Sequence, residues 1–360
     1  MDALKNWFSA DFYKDLAAAI KKHCRSFDDG AFYRDATLEL EALELKDRLR
    51  RTATTCRKYL PDEYRRAVDV LYKVAPRYKG EFTGVFCPEF VGLYGLDDFD
   101  FSLDALKYFT VFSSSEFAVR EFLRLDLHRT LRVMQQWSRD DNHHVRRLAS
   151  EGSRPRLPWS FHLEALIEDP SPAVPILENL RADPSLYVRK SVANHLNDIS
   201  KDHAECMLDL VSVWDRSDER TAWIVKRAAR SLIKAGHPRT FALLGFETQP
   251  QIEVGPLALS AAEIRLGESM TFSFSLKSLR QRAQKLAVDY EVHYVKKAGQ
   301  SRPKVFKLKE LSLAPGEEVE IRKKHLFKDF STRKHYAGRH RIVVMVNGVA
   351  TEEASFEFGL

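Results

Sequence analysis

The chain has 360 residues, of which 44% are hydrophobic and 30% charged, and its formal net charge is +6. This length allows two domains with separate cores, and the composition excludes intrinsic disorder. Because no apolar run approaches the roughly 20 residues of a membrane-spanning helix and no cleavable-signal layout is present, we predict a cytoplasmic protein without a membrane partner.

The apolar residues between 1 and 247 recur with a helical period, and we predict an all-α domain over this range. Turn signals rich in Asp, Pro and Ser separate its segments. The predicted helices are 11–24, 38–58, 62–74, 103–112, 116–125, 127–136, 139–152, 173–180, 185–196, 204–213 and 222–235. No strand is predicted before residue 250.

Three segments of this half resemble one another. Val145, Val188 and Val225 lie 43 and 37 residues apart, and each is followed by basic residues. This spacing is typical of HEAT-like repeats, which are helix pairs that stack into a solenoid. We expect each Val to pack into the stack and the basic residues to face solvent on the concave side. HEAT-like stacks bind proteins more often than nucleic acids, so this fold alone does not decide the function.

After residue 250 the pattern changes to a period of two. About seven strands are predicted over residues 252–360, which fits an immunoglobulin-like β-sandwich, and Asn347-Gly348 predicts a two-residue hairpin turn. Residues 251–360 contain 19 Lys and Arg against 13 Asp and Glu, with basic clusters at 322–325 and 333–335. A polyanion would be drawn to this part. The predicted fold is therefore multidomain, with an all-α HEAT-like solenoid followed by an all-β immunoglobulin-like sandwich.

The remaining motifs give no sign of a metal or cofactor. Cys24, Cys56, Cys87 and Cys206 are scattered without CxxC spacing, which argues against a zinc site and a disulfide framework. No Gly-rich phosphate loop and no Ser-His-Asp arrangement is apparent. We expect a protein that needs neither a metal nor a cofactor.

The segment 150–159 (Ser-Glu-Gly-Ser-Arg-Pro-Arg-Leu-Pro-Trp) is the most informative motif. It places one carboxylate, two guanidinium groups and an indole within ten residues, and its two prolines restrict the backbone. This combination suits a flat, cationic group attached to a phosphate backbone. An alkylated base in DNA is such a group.

Together with 90–99 (Phe-Val-Gly-Leu-Tyr-Gly-Leu-Asp-Asp-Phe) and 114–120 (Ser-Ser-Glu-Phe-Ala-Val-Arg), this segment carries a family resemblance. Over most of residues 5–245 the chain resembles the AlkC-type DNA alkylation-repair glycosylases, the HEAT-like relatives of AlkD. Some members add an immunoglobulin-like domain that helps to enclose DNA. The resemblance implies a DNA N-glycosylase that removes 3-methyladenine and 3-methylcytosine from double-stranded DNA without complete extrusion of the base, unlike most glycosylases.

Such a reaction calls for carboxylates rather than a general acid. An N3-methylated base is already cationic, so it leaves as a neutral molecule, and the sugar and the attacking water are what need help. The catalytic candidates are Glu116, Glu151 and Asp198. Glu151 aligns with Asn194 in the repeat, and Asp198 lies one turn beyond it on the same helix face. The alternatives are a helix N-terminal acid for Glu116, a solvated ion pair for Glu151 and a helix-end or loop residue for Asp198.

The DNA-binding candidates combine one aromatic ring with basic and polar groups. We expect Trp159 to stack on the deoxyribose or the lesion, its alternative being packing of the loop onto the next repeat. The other candidates are Arg147, Arg154, Arg156, Asn194, Arg120 and Lys190. For the arginines the alternative is surface ion pairing. We expect a monomer without an obligate protein partner, and the competing function is a non-catalytic HEAT-like scaffold that binds DNA or protein.

Overall fold

A computed structural model describes residues 3–297, 299–330 and 334–360. Met1, Asp2 and Arg333, the last from a predicted basic cluster, lie outside the described residues. The chain divides into two compact units, Met1–Asp202 with Trp214–Ala228, and His203–Val213 with Ala229–Leu360. The second unit thus contains helices in addition to strands. The domain limits 1–247 and 252–360 stay predictions.

The described helices account for the N-terminal two thirds of the chain. They are α1 (Ala10–His23), α2 (Asp29–Thr37), α3 (Leu45–Tyr59), α4 (Tyr64–Val74), α5 (Phe86–Tyr94), α6 (Phe99–Phe109), α7 (Val119–Leu125), α8 (Leu127–Trp137), α9 (His143–Gly152), α10 (Glu164–Glu168), α11 (Val174–Asn179), α12 (Leu186–Asp202), α13 (Ala204–Ser212), α14 (Glu219–Ala228), α15 (Arg230–Lys234) and α16 (Pro238–Leu243). The prediction of a helical N-terminal region is confirmed. In the described ranges, no helix combines the length and the apolar character that crossing a bilayer requires.

Several predicted helices are too long or wrongly joined. The helix predicted over 38–58 begins only at Leu45, because Glu39 has a φ of 51° and this left-handed conformation breaks the helical path. The helix predicted over 222–235 is divided at Ala229 into α14 and α15. The pattern also missed α2, α5, α10 and α16. Most of α5 is buried, so it lacks the polar face from which a helical period is recognised.

Two of the three segments predicted to be repeats have the same hydrogen bonds where their helices, α9 and α12, begin. Arg146 Nη1 donates to the carbonyl oxygens of residues 140 and 141 at 2.9 and 2.8 Å. Arg189 Nη1 donates to those of residues 183 and 184 at 2.9 and 2.8 Å. In both copies the arginine after the buried Val ties the helix to its preceding loop. Our expectation that these two basic residues face solvent is therefore wrong.

Among its described residues, the second unit contains a sandwich of nine strands, compared with about seven predicted. They are β1 (Ile252–Val254), β2 (Ala258–Leu259), β3 (Glu263–Arg265), β4 (Ser269–Ser278), β5 (Gln284–Val295), β6 (Ser301–Leu313), β7 (Glu318–Leu326), β8 (Gly338–Val346) and β9 (Val349–Gly359). In one sheet β4 pairs with β1, β2 and β7; the other has the order β3-β9-β8-β5-β6. All pairings are antiparallel except that of β3 with β9.

The core of the sandwich follows from the period of two. In β4, Met270, Phe272, Phe274 and Leu276 are buried while the residues between them are partly exposed. Each fully buried side chain of this size contributes about 1.5–3 kcal/mol. This alternation confirms the predicted inward face.

The predicted hairpin between β8 and β9 is confirmed. Asn347 and Gly348 have φ values of 47° and 80°, as the tight turn with two left-handed positions requires. Asn347 Oδ1 accepts a hydrogen bond from the backbone N–H of Ala287 at 2.7 Å. A Cβ on Gly348 would lie 2.5 Å from the Cα of Gly236. Glycine is therefore required at this position for both its backbone conformation and its lack of a side chain.

Candidate active site

The three predicted catalytic carboxylates come from separate elements of the helical unit and join one ion-pair network. Glu116 precedes α7, Glu151 lies in the last turn of α9 and Asp198 lies near the end of α12. Arg147 pairs with Glu116 and, at 3.5 Å, with Glu151. Arg154 donates from Nη1 to Glu151 Oε1 at 2.7 Å and from Nε to Asp198 Oδ2 at 2.8 Å. We name these five residues the carboxylate cluster.

Helix geometry explains most of this arrangement. Arg147, Glu151 and Arg154 are spaced four and three residues apart, so they lie on one side of α9 and its end. Packing of α9 against α12 then brings Asp198 to the same place. Glu151 and Asp198 are only 6% and 2% exposed. The alternatives of a solvated Glu151 and a loop position for Asp198 do not fit this burial.

The cluster keeps Glu151 ionised in spite of its burial. Burial by itself raises the pKa of Glu151, but Arg147, Arg154 and the nearby Ser191 hydroxyl outweigh it, and the pKa lies below its usual range. Burial likewise lowers the pKa of Arg147, and the carboxylates of Glu116 and Glu151 more than reverse that effect. At neutral pH the cluster therefore contains the buried, charged carboxylate of Glu151, which is a costly arrangement and typical of functional sites.

Arg120 does not fit the phosphate-binding role predicted for it. Its guanidinium is completely buried, with Nη1 donating to the carbonyls of Gly152 at 2.9 Å and Arg154 at 2.7 Å. Its Nη2 donates to the carbonyl of Phe161 at 2.5 Å. Burial lowers the pKa of Arg120 to about 10, so it remains a cation at neutral pH. Arg120 therefore fixes both ends of the segment 152–161 from within the protein.

Arg154 was also predicted to bind a phosphate, and its environment points to another role. It is 7% exposed, and its side chain bridges Glu151 and Asp198. Arg156 is different because its guanidinium makes two 2.9 Å hydrogen bonds to Asp202 in a partly exposed position. Among the arginines of the motif, Arg156 is thus accessible and Arg154 is not.

Trp159 projects from the loop that Arg120 anchors. The backbone N–H of Leu163 donates to the carbonyl of Pro155 at 3.0 Å and closes the loop. Trp159 is 58% exposed and has a φ of 64°, which is rare for a large side chain and costs on the order of 1–3 kcal/mol. An indole held in the solvent at such a cost does not fit the alternative of loop packing. It is available to a ligand.

The last two predicted residues belong to α12. Lys190 is exposed, and Asn194 is partly buried one turn after it. With Asp198 they follow one face of the helix at intervals of four residues. This row of three residues runs from the exposed Lys190 to Asp198 in the carboxylate cluster.

Three further residues contact the cluster and were not predicted. Ser114 donates to Glu116 Oε2 at 2.8 Å and accepts from Arg147 Nη1 at 3.0 Å. The guanidinium of Arg147 lies 5.0 Å from the ring centroid of Tyr187. Lys201 Nζ donates to Asp198 Oδ1 at 2.9 Å. Lys201 lies three residues after Asp198 and Ser114 two residues before Glu116, so the sequence spacing could have indicated both contacts. The contacts of Ser114 and Tyr187 with Arg147 depend on tertiary packing.

The described parts of the chain hold no group of three or more His, Cys, Asp or Glu arranged to bind a metal ion. What the cluster offers instead is carboxylate oxygens that accept hydrogen bonds, and an exposed indole follows Arg154 by five residues in the chain. Such groups stabilise a cation and orient water.

Two family models match this chain. Residues 100–232 match the family model of the DNA alkylation repair enzyme, and residues 253–359 match that of the uncharacterised protein YhaZ, C-terminal Ig-like domain. Over 360 residues the chain is 41% identical to the uncharacterized protein YhaZ of Bacillus subtilis (strain 168), and 99% of both proteins is covered.

Among solved structures, the chain is similar to the Pseudomonas fluorescens alkylpurine DNA glycosylase AlkC bound to DNA containing an abasic site analog. The two share 46% sequence identity over 99% of each chain, with a TM-score of 0.96. The family matches of the helical region and of the immunoglobulin-like domain indicate the same family as the similarity over the whole length. The chain belongs to the AlkC-type family of DNA alkylation-repair glycosylases.

Proposed function

We propose that this protein is a monofunctional N-glycosylase that excises 3-methyladenine and 3-methylcytosine from double-stranded DNA. The products are an abasic site and the free methylated base. The protein acts as a monomer in the cytoplasm, with HEAT-like repeats binding the duplex and without complete extrusion of the base. Its similarity to an alkylpurine DNA glycosylase supports the reaction class, and the carboxylate cluster supports the choice of cationic substrates.

The observation that carries the proposal is the meeting of Glu116, Glu151 and Asp198 in one network. A cationic base leaves as a neutral molecule, so the transition state places positive charge on the deoxyribose. Ionised carboxylates beside the sugar stabilise that charge, and one of them orients and deprotonates the attacking water. Against the opposing effect of burial, Arg147 and Arg154 hold the pKa of Glu151 below its usual range and keep this carboxylate ionised.

The neighbouring residues divide into those that touch DNA and those that support the site. We assign Trp159 to stacking on the deoxyribose or the lesion because its indole is exposed. Arg156 and Lys190 contact phosphates, and Asn194 lines the groove beside Asp198. Arg147 is 14% exposed and pairs with Glu116 and Glu151, so we assign it to support of the carboxylates in place of the phosphate contact expected for it. We assign Arg154 and Arg120 to positioning, since both are buried and bonded within the protein. This replaces the phosphate contacts expected for them.

The immunoglobulin-like sandwich contributes a basic surface to DNA binding. Arg322 and Lys324 of β7 are exposed on the outer face and lie opposite Ser273 and Thr271 of β4. Replacing both with Gln should lower the slope of log binding constant against log salt by about 0.9 per lost phosphate contact. An unchanged slope would mean that this face does not contact DNA.

The central test compares base release by isosteric variants of the carboxylates. Glu151→Gln and Asp198→Asn should each lower the single-turnover rate of 3-methyladenine and 3-methylcytosine release by about 100-fold or more. Affinity for DNA should change little, because the carboxylates act on the transition state. Rates are measured with excess protein and affinity is measured separately by fluorescence anisotropy.

The matched control is Glu44→Gln, because Glu44 is an exposed carboxylate paired with Lys5 outside the cluster. It should behave as the wild type. Wild-type rates in both cluster variants would show that the catalytic assignment is wrong. No base release by the wild-type protein at any concentration would instead favour a non-catalytic scaffold that binds DNA or protein.

A further inference from the structure

Asp198 differs from the other carboxylates of the cluster because one of its counter-ions is open to solvent. Its Oδ2 accepts from Arg154 at 2.8 Å, and its Oδ1 accepts from Lys201 at 2.9 Å. The side chains of Asp198 and Arg154 are 3% and 8% exposed, whereas that of Lys201 is 46% exposed. One oxygen of this carboxylate is therefore held by a fixed cation and the other by a surface cation.

A carboxylate in this state is poorly suited to the proposed hydrolysis. Cations on both oxygens offset its charge, so it stabilises a developing sugar cation less, and they compete with water for its lone pairs. Of the cations paired with the carboxylates of the cluster, Arg147 and Arg154 are held inside the protein, whereas Lys201 reaches the surface. The buried cation Arg120 also acts on these carboxylates, so loss of Lys201 lowers the positive charge around Asp198 and frees its Oδ1.

Lys201 is also placed where a phosphate could compete for it. It lies eleven residues after Lys190 on α12, which corresponds to three turns, about 20° of rotation and about 16 Å along the helix axis. Both lysines therefore lie on the same side of α12, with Asp198 between them. A DNA backbone that follows this side would bring phosphates next to Lys201, and ammonium groups are strongly attracted to phosphates.

We propose that Lys201 is a positioning residue that responds to DNA phosphates. In the free protein its ammonium neutralises Asp198. In the complex it moves to a phosphate beside the lesion, and Asp198 Oδ1 becomes free to hold the attacking water. This is an exchange of hydrogen-bond partners, in which no covalent bond forms or breaks. The inference rests on the proposed glycosylase function, and it makes base release depend on the charge of the DNA backbone.

Arg154 does not take part in this exchange. Its side chain is buried between two carboxylates, and its carbonyl oxygen accepts a 2.7 Å hydrogen bond from Arg120. A buried ion with these partners would lose too much on moving to the surface. Lys201 has the exposure and the long, flexible stem that such a movement needs.

The test measures single-turnover base release at saturating protein from a duplex with one 3-methylcytosine. Each phosphate within two nucleotides of the lesion is replaced in turn by a neutral methylphosphonate. In the wild type, one replacement should lower the rate constant about tenfold, because Lys201 then stays on Asp198. In Lys201→Met the same replacement should change the rate constant by less than about twofold, because no ammonium connects the phosphate to Asp198.

The control is Lys107→Met, since Lys107 forms a similar 2.8 Å ion pair with Asp140 and is 40% exposed. This variant should keep the wild-type response to the methylphosphonate. Equal responses of wild type and Lys201→Met, or no response of the wild type to any replacement, would overturn the inference. Failure of the wild type to release base from unmodified DNA would overturn the proposed function instead.

Discussion

The helical unit and the sandwich bury polar groups in different ways. Glu151, Arg154 and Asp198 are buried as ions that pair with one another. In the sandwich core, His325 lies between the hydroxyl groups of Tyr290 and Tyr294, with 2.9 Å hydrogen bonds to both. The second arrangement satisfies its hydrogen bonds with uncharged phenols, whereas the first brings opposite charges together in a poorly hydrated place.

This difference distinguishes polar groups that support the fold from polar groups that are expected at a functional site. Desolvation of an ion pair usually costs about as much as its attraction returns, so a buried network is weak evidence for stability. Burying neutral hydrogen-bonded groups costs less free energy than burying ions. We therefore infer that the helical unit loses some stability by burying these ions, and that the ions serve the proposed reaction. The sandwich does not carry this loss of stability. Three substitutions and one matched control test this distinction, in order of decreasing effect.

The largest effect is expected from Arg154→Met, which breaks the network at its centre. Two buried carboxylates would lose a shared counter-ion, and we expect a loss of about 3–5 kcal/mol in the free energy of unfolding. The pKa of Glu151 should also rise, because Arg154 helps to hold it below its usual range. Urea unfolding measures the first effect, and the acid limb of the pH–rate profile measures the second.

Arg156→Met is the matched control for stability. Arg156 pairs with Asp202, and both side chains are 28% exposed. Because exposed ion pairs contribute little, the unfolding midpoint should hardly change. Equal losses in the two variants would mean that burial does not distinguish these pairs.

A smaller effect is expected in the pH dependence of the free energy of unfolding, to which the helical unit contributes through His195. His195 is fully buried next to the cluster, its Nδ1 lies 3.0 Å from the carbonyl oxygen of Ser150, and burial lowers its pKa from 6.5 to about 4. Between these values the unfolded chain binds the extra proton, so stability falls as the pH drops from 6.5 to 4. The loss reaches about 3 kcal/mol at most.

His195→Asn keeps a donor for the Ser150 carbonyl and removes the titration. Its stability should therefore fall less steeply over this pH range than that of the wild type. Thermal unfolding at several pH values provides the comparison. Parallel curves for the two proteins would show that another group controls the acid sensitivity.

The smallest effect on stability is expected in the sandwich. Asp289 is a buried group there that can ionise, unlike the neutral groups around His325. Burial raises the pKa of Asp289 from 3.8 to about 6, although Lys307 acts in the opposite direction. The folded state therefore holds its proton more tightly, and stability falls as the pH rises from about 4 to 6. At pH 7, Asp289→Asn should stabilise the protein by about 1–2 kcal/mol. The gain should vanish below pH 4, and a gain that persists there would contradict this explanation.

Local patterns in the sequence determined most of the architecture. The helical period, the alternation in β4 and the Asn347-Gly348 turn each depend on backbone geometry within a few residues. The left-handed Glu39 and the buried helix α5 were missed because a backbone reversal without glycine and a helix without a polar face leave no periodic signal. The motif residues of the candidate site were recognised through the family resemblance.

Only the tertiary structure decided what each charged residue does. Arg120, Arg154 and Arg156 have the same guanidinium group, yet the first binds three carbonyls, the second bridges two carboxylates and the third faces solvent. Their roles differ because burial and the choice of partner depend on how α7, α9 and α12 pack together. The sequence determined that acids and bases would occur in these helices. Their packing determined which of them became one site, because the electrostatic effect of a charge depends on distance and hydration.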